Sequence, residues 1–143
     1  MSESNKAVCR RLIDEVVNQG NLAAADALVS PSYVYHGPGG LELRGPEGFK
    51  QLVTLYRTAF PDLRMTIDDI IAEGETVAMR WTGRGTHRGD LTGIAPTGRL
   101  TTVTGIVFSR VVGGKIVEDF ESFDELGMLR QLGVTAIPAP AHA

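Results

Sequence analysis

The sequence predicts an α+β fold: a curved antiparallel sheet packed on N-terminal helices to make a cone-shaped barrel. Three observations carry this. Apolar residues recur with a period of 3.6 as far as Phe60 and with a period of 2 after Pro61. Gly-Gly and Glu-Gly steps then separate alternating runs at hairpin spacing, leaving no room for the helical crossovers of a βαβ fold. Finally, 143 residues, 43% hydrophobic and 22% charged, suit one globular domain, read as 1–143 with an ordered core of about 5–133.

Each element follows from local pattern. Cys9, Leu12, Ile13, Val16 and Val17 form one stripe of an amphipathic helix, with Ser2 or Ser4 to cap it and Gly20 to stop it. Asn21 can cap a short second helix over 22–29, ended by Ser30-Pro31. A short strand follows, with Tyr35 and His36 at its end. The third helix opens at Gly45-Pro46, where proline's missing N–H is no loss, and shows Phe49, Leu52, Val53, Tyr56, Ala59 and Phe60 on one face. Beyond Pro61, Leu63, Met65 and Ile67 alternate with polar residues, and Asp68-Asp69 breaks the phase as a bulge would. Glu73-Gly74 reads as a turn, and Val77, Met79 and Trp81 resume the alternation. Long strands over 99–112 and 115–123 flank Gly113-Gly114, a pair suited to a two-residue hairpin. Asp124 can cap a closing helix carrying Leu126, Leu129 and Leu132 before Gly133, and the tail IPAPAHA reads as loose. The three N-terminal helices are the available cover for the sheet, and a sheet curved around them leaves a hollow for a small ligand.

Composition excludes several classes. Lys+Arg 14 against Asp+Glu 17 gives a net charge of −3, contrary to the basic stripe of a nucleic-acid binder. No apolar run approaches the roughly 18 residues that span a bilayer, so no membrane partner is expected. Cys9 is the one cysteine, and the N-terminus lacks an apolar leader, which together suggest the cytoplasm. With no H-x-x-x-H spacing, no G-x-S-x-G, no P-loop and no dinucleotide fingerprint, neither a metal nor another cofactor is expected.

Seven segments, in order, bear a likeness: NQGNL at 18–22, PSYV at 31–34, GPEGF at 45–49, AFPDL at 59–63, RWTGRGTH at 80–87, GIAPTGR at 93–99 and GGKIVEDFESFDELGMLRQLG at 113–133. Together they resemble the SnoaL-like polyketide cyclase family, within the nuclear-transport-factor-two-like superfold. The resemblance implies a cone-shaped α+β barrel, dimeric or larger, whose pocket lies between sheet and helices. It also implies ring closure without a cofactor, by a carboxylate on the last long strand. Aligned on G-K-I and L-R-Q-L-G, that carboxylate is Glu121. Two positions depart from the family: its strand-borne histidine falls on Val107 and its asparagine on Tyr35.

Strand parity puts Val117, Asp119, Glu121 and Phe123 on one face. In an apolar pocket the proton affinity of Glu121 rises, which general acid/base work near neutrality requires. His87 is in phase with Met79 and Trp81 and offers a neutral-range imidazole. The catalytic candidates are therefore Glu121, His87 and Tyr35, and the substrate-binding candidates Asp119, His36, Trp81, Met79, Tyr56, Val107 and Phe123. The expected guest is a hydrophobic small molecule with room for aromatic rings. Residues 89–98 read as a mobile flap at the pocket mouth, and Arg80, Arg84, Arg88 and Arg99 as solvated. Phe108 reads either as core or, with Ile106, Ile116 and Phe120, as an outer apolar face that a homodimer would cover. Hydroxylase chemistry and plain small-molecule binding are the alternative functions.

Overall fold

The computed structural model describes residues 2–134, so the predicted loose tail and His142 lie outside the described residues. Helix α1 (Ser2–Arg11) runs on into a π-helix (Leu12–Asn18) that buries Leu12, Ile13, Val16 and Val17. Asn18 ends it by pairing both side-chain groups with the backbone of Met65, while Arg57 caps the free carbonyls of Val17 and Asn18. The second helix is shorter than predicted. A 3-10 turn (Leu22–Ala24) and α2 (Ala25–Leu28) give way at Val29 to strand β1 (Val29–His36), which takes in Ser30-Pro31 instead of beginning after them. Pro31 is tolerated because the pairing of β1 is irregular between Val29 and Val34, where no ladder N–H is demanded of it. A short strand β2 (Glu42–Arg44), not foreseen, precedes α3 (Gly45–Ala59), which starts with its proline in the first turn as expected.

Strands β3 (Arg64–Glu73), β4 (Thr76–Thr86), β5 (Leu100–Val112) and β6 (Lys115–Phe123) form the antiparallel meander. The bulge sits at Asp68, between Ile67 and Asp69, and Gly113 and Gly114 take φ of 59° and 79° in the β5–β6 turn. The full order is β2-β1-β6-β5-β4-β3. Two expectations are corrected here: the sheet is mixed, because β1 runs parallel to β6, and it does not close into a barrel. Periodicity determines which residues a strand buries but not its neighbour; the meander leaves the edge of β6 open, and β1, already backed by α3, fills it.

On β5 burial alternates without a break, odd residues inward and even residues outward. The outward Ile106, Phe108 and Phe120 are 49%, 52% and 55% exposed, so Phe108 is not core. Ile116 does not join them. A register shift between Arg110 and Val111 turns it inward against Val111. In α4 (Glu125–Gln131) the Asp124 side chain caps the Gly127 N–H, and the buried residue is Met128 while Leu126 faces solvent. Among the described residues no helix is long and apolar enough to cross a membrane.

Candidate active site

The inward faces of β1, β3, β4, β5 and β6 border one hollow of about 130 Å³, closed from the other side by the π-helix and α3. Strands at opposite ends of the sheet can meet one cavity only if the sheet curves around it. The walls are mostly apolar: Leu12 and Val17 from the π-helix, Phe49 and Tyr56 from α3, Met79 and Val107 from the sheet.

Glu121 projects into this hollow, and the surface it keeps lines it. The Tyr35 phenol donates to Oε1 at 2.6 Å, and the Trp81 indole Nε1 donates to Oε2 at 3.0 Å. Burial raises the carboxyl's proton affinity, the two hydrogen bonds oppose this, and the pKa stands at about 7. Burial, followed by Glu121, pushes the Tyr35 hydroxyl well above the ordinary phenol range, so it stays a donor.

Two glycines make this geometry possible. Trp81 pairs with Gly105 on β5, and its ring crosses that glycine to reach β6; a Cβ at Gly105 would stand 2.5 Å from Trp81 Cζ2. The Tyr35 ring likewise lies over Gly37, where a Cβ would be 2.6 Å from Cε2. Neither glycine is singled out by motif; their signal is a side-chain-free position beside an aromatic one.

Deeper in the wall, Asp119 is 5% exposed. Tyr33 donates to its Oδ2 at 2.6 Å, and Ser109 is hydrogen-bonded to its Oδ1. Burial raises the Asp119 pKa against both hydrogen bonds, and burial pushes the Cys9 thiol up to about 12. Tyr33 and Ser109 are additions that the sequence reading passed over, although each shares the inward phase of its strand with a named candidate.

Of the predicted residues, Tyr35, Met79, Trp81, Val107, Asp119, Glu121, Tyr56 and Phe123 meet at the hollow. Phe123 stands edge-on to Tyr56 at 6.2 Å and tilted against Trp81 at 6.1 Å. His36 does not join them: it lies on the outer face, stacked on Phe120 at 4.4 Å and 2.9 Å from Glu118. His87 is fully buried but outside the hollow, behind Phe60, with ring centroids 5.6 Å apart. Its Nδ1 accepts the Thr97 N–H at 3.2 Å. The phase argument holds for its burial, but β4 ends at Thr86 and the chain then turns toward the end of α3. Residues 88–98 do not line the hollow, contrary to the expected flap. They fold back on themselves through Leu91 and Ile94, and both Arg88 and Gly89 donate to the Ala59 carbonyl. No group of three or more His, Cys, Asp or Glu among the described residues is arranged to hold a metal.

A curved α+β sheet around a mostly apolar hollow, with a carboxyl whose proton affinity burial raises to near neutrality and whose oxygens uncharged donors orient, defines the candidate small-molecule pocket. The profile of the SnoaL-like polyketide cyclases matches residues 7–132, and the chain belongs to that family. It is 36% identical over 137 residues to the aklanonic acid methyl ester cyclase AcmA of Streptomyces galilaeus, covering 93% of this chain and 92% of AcmA. IdmH of Streptomyces antibioticus, described as a candidate polyketide cyclase, shares the fold with a TM-score of 0.80 at 35% identity, over 91% of this chain and 99% of IdmH. AclR of Streptomyces galilaeus, described as a candidate hydroxylase, gives 0.80 at 28% identity, over 96% and 89%.

Proposed function

We propose that the protein closes a ring in a polyketide-like carbonyl compound, with Glu121 as the group that takes and returns the proton. The observation that carries this reading is the pair of neutral donors, one on each Glu121 oxygen, inside an apolar hollow. They fix the carboxyl's direction without the cation that would lock it ionised. Ionised Glu121 removes a proton from carbon next to a carbonyl, the enolate carbon attacks a second carbonyl, and the protonated carboxyl returns its hydrogen to the new alkoxide. The apolar walls hold the flexible chain near its closing geometry, which lowers the entropic part of the barrier. His87, outside the hollow, has a positioning role at the base of the 88–98 loop.

Similarity to AcmA makes aklanonic acid methyl ester the first substrate to test. Glu121→Gln keeps size and loses the base, so turnover should fall about 10²- to 10⁴-fold with folding intact. Unchanged turnover would remove Glu121 from the mechanism. Because the working base is ionised, kcat/KM should rise with pH through the neutral range. The similarity to AclR favours oxidative tailoring as a second reading. Turnover under argon separates the two, since ring closure consumes no oxygen. We also propose that two copies associate through the outer face bearing Ile106, Phe108 and Phe120. Sedimentation should show a dimer at micromolar concentration, and a persistent monomer would discard that part.

A further inference from the structure

The wall of the hollow carries a second carboxyl that the mechanism above leaves idle. Asp119 precedes Glu121 by two residues on the same face of β6, and among the described residues it meets only uncharged or like-signed groups: Tyr33, Ser109, Cys9 and Glu121. Two buried carboxyls bordering one mostly apolar cavity cannot both ionise cheaply, so one of them keeps a proton.

Burial identifies which: Asp119 is 5% exposed, while Glu121 keeps surface on the hollow, so the deeper carboxyl holds its proton more tightly. The Trp81 indole N–H can only donate, so Oε2 of Glu121 must offer it a lone pair. The Tyr35 hydroxyl on its other oxygen, like those of Tyr33 and Ser109, accepts as readily as it donates, so these bonds bar no proton from Asp119. It can be neutral without losing a single partner: Tyr33 donates to Oδ2, the proton sits on Oδ1, and Ser109 Oγ receives it. The hydroxyl hydrogen of Ser109 is then free to turn elsewhere. It can turn to the Cys9 sulfur, a weak acceptor, or into the hollow that Ser109 borders.

We propose that Asp119 is kept as a neutral carboxylic acid, and that it makes the Ser109 hydroxyl a hydrogen-bond donor to a carbonyl oxygen of the bound guest. Strand register gives the geometry. Ser109 pairs with Asp119 and Val107 with Glu121, so Ser109 and Glu121 are diagonal neighbours about 7 Å apart at Cβ. That gap fits a carbonyl and its adjacent carbon. Glu121 takes the proton from the carbon, the C–H electron pair becomes the C=C bond of an enolate, and the charge develops on the oxygen facing Ser109. A fixed donor there acts where charge appears in the transition state. The inference rests on Glu121 as base and deepens that reading by narrowing the guest to an enolisable carbonyl compound. Ser109 is thereby a catalytic residue, and Asp119 a positioning residue acting through it.

Carbon-13 NMR of the carboxyl carbons in the full chain tests the protonation without any substrate. Asp119 should keep the shift of a protonated acid through neutral pH while Glu121 titrates. Asp119→Asn, which still donates toward Ser109 and accepts from Tyr33, should leave the Glu121 midpoint in place. An Asp119 signal already ionised well below neutrality overturns the proposal. So does a downward move of the Glu121 midpoint in the variant, since removing a neutral group shifts no charge. With aklanonic acid methyl ester as probe, Ser109→Ala should lower kcat on the order of 10²-fold with KM nearly unchanged. Ser109→Thr should recover most of the loss, and Asp119→Asn should retain most turnover. Full activity in Ser109→Ala, or a collapse of Asp119→Asn as deep as that of Glu121→Gln, is decisive against it. Full activity in Glu121→Gln would fail the base reading instead, and the NMR result would still decide the state of Asp119.

Discussion

The two faces of β6 treat their carboxylates in opposite ways. On the outer face Glu118 lies against His36 at 2.9 Å and Arg110 at 3.9 Å, and on neighbouring strands Asp69 meets Arg80 at 2.6 Å. On the inner face, among the described residues, Asp119 and Glu121 meet hydroxyls, an indole, a thiol and each other, and no cation. A cation would hold a carboxylate ionised and inert; neutral donors aim it and leave its proton affinity high. One strand thus carries solubilising charge outside and exchangeable protons inside, separated by a single residue of phase.

Several experiments sharpen or break this contrast. The largest effect is the Glu121→Gln loss of turnover described above, measured beside Glu118→Gln, which should leave turnover nearly untouched. Placing a cation inside comes next. Val107→His sets an imidazole opposite Glu121, and it should lower the carboxyl's pKa by about one unit, moving the acid limb of the kcat/KM profile to lower pH. A profile that stays in place would show that cations are not what separates the faces.

Stability should carry the same signature. The Glu121 pKa is raised from the ordinary 4.5 to about 7 in the fold, so between these values the folded chain holds a proton that the unfolded chain has released. The Glu121 contribution to stability therefore falls as pH rises through that window, by up to about 3 kcal/mol, and does not change above it. Urea unfolding at either end of the window should show the decline in the wild type and a smaller one in Glu121→Gln, where only the Asp119 share remains. Gly105→Ala is the next step down. Its methyl must displace the Trp81 ring, costing about 1–3 kcal/mol and shifting tryptophan fluorescence as the bond to Glu121 is lost. The smallest effect belongs outside: Arg80→Ala breaks exposed pairs to Asp68 and Asp69 and should cost less than about 1 kcal/mol.

Much of the sheet could be read from the residues. The alternation in β5, the Gly113-Gly114 turn and the broken phase at Asp68 all sit where pattern put them, because each is a local event. The parallel pairing of β1 with β6 could not be read, since no local signal in 29–36 names a partner more than 80 residues away. Phase sorts side chains into inward and outward, and Glu121, Trp81 and Met79, in the inward phase, border the hollow. It misled at His87 because burial and access to a cavity are different properties: one ring of Phe60 stands between them. His36 was misplaced more simply, since it takes the opposite parity to Tyr35 on a strand whose inner face holds Tyr33 and Tyr35. Tyr33 and Ser109 went unnoticed because a hydroxyl in a strand carries no motif; only its neighbour across the sheet gives it meaning.

The loop of residues 88–98 is riveted at both ends, to the Ala59 carbonyl by Arg88 and Gly89 and to His87 by Thr97 and Gly98. An added Cβ at Gly89 would fall 2.0 Å from the Thr58 carbonyl oxygen, so the near rivet tolerates no side chain. Between these anchors Leu91 is buried in the core and Ile94 packs against it, while residues 92, 93, 95 and 96 are exposed. Because no residue of 88–98 borders the hollow, substitutions at those exposed positions should leave guest and chemistry alone, while the two fastenings and Leu91 are the places to leave untouched.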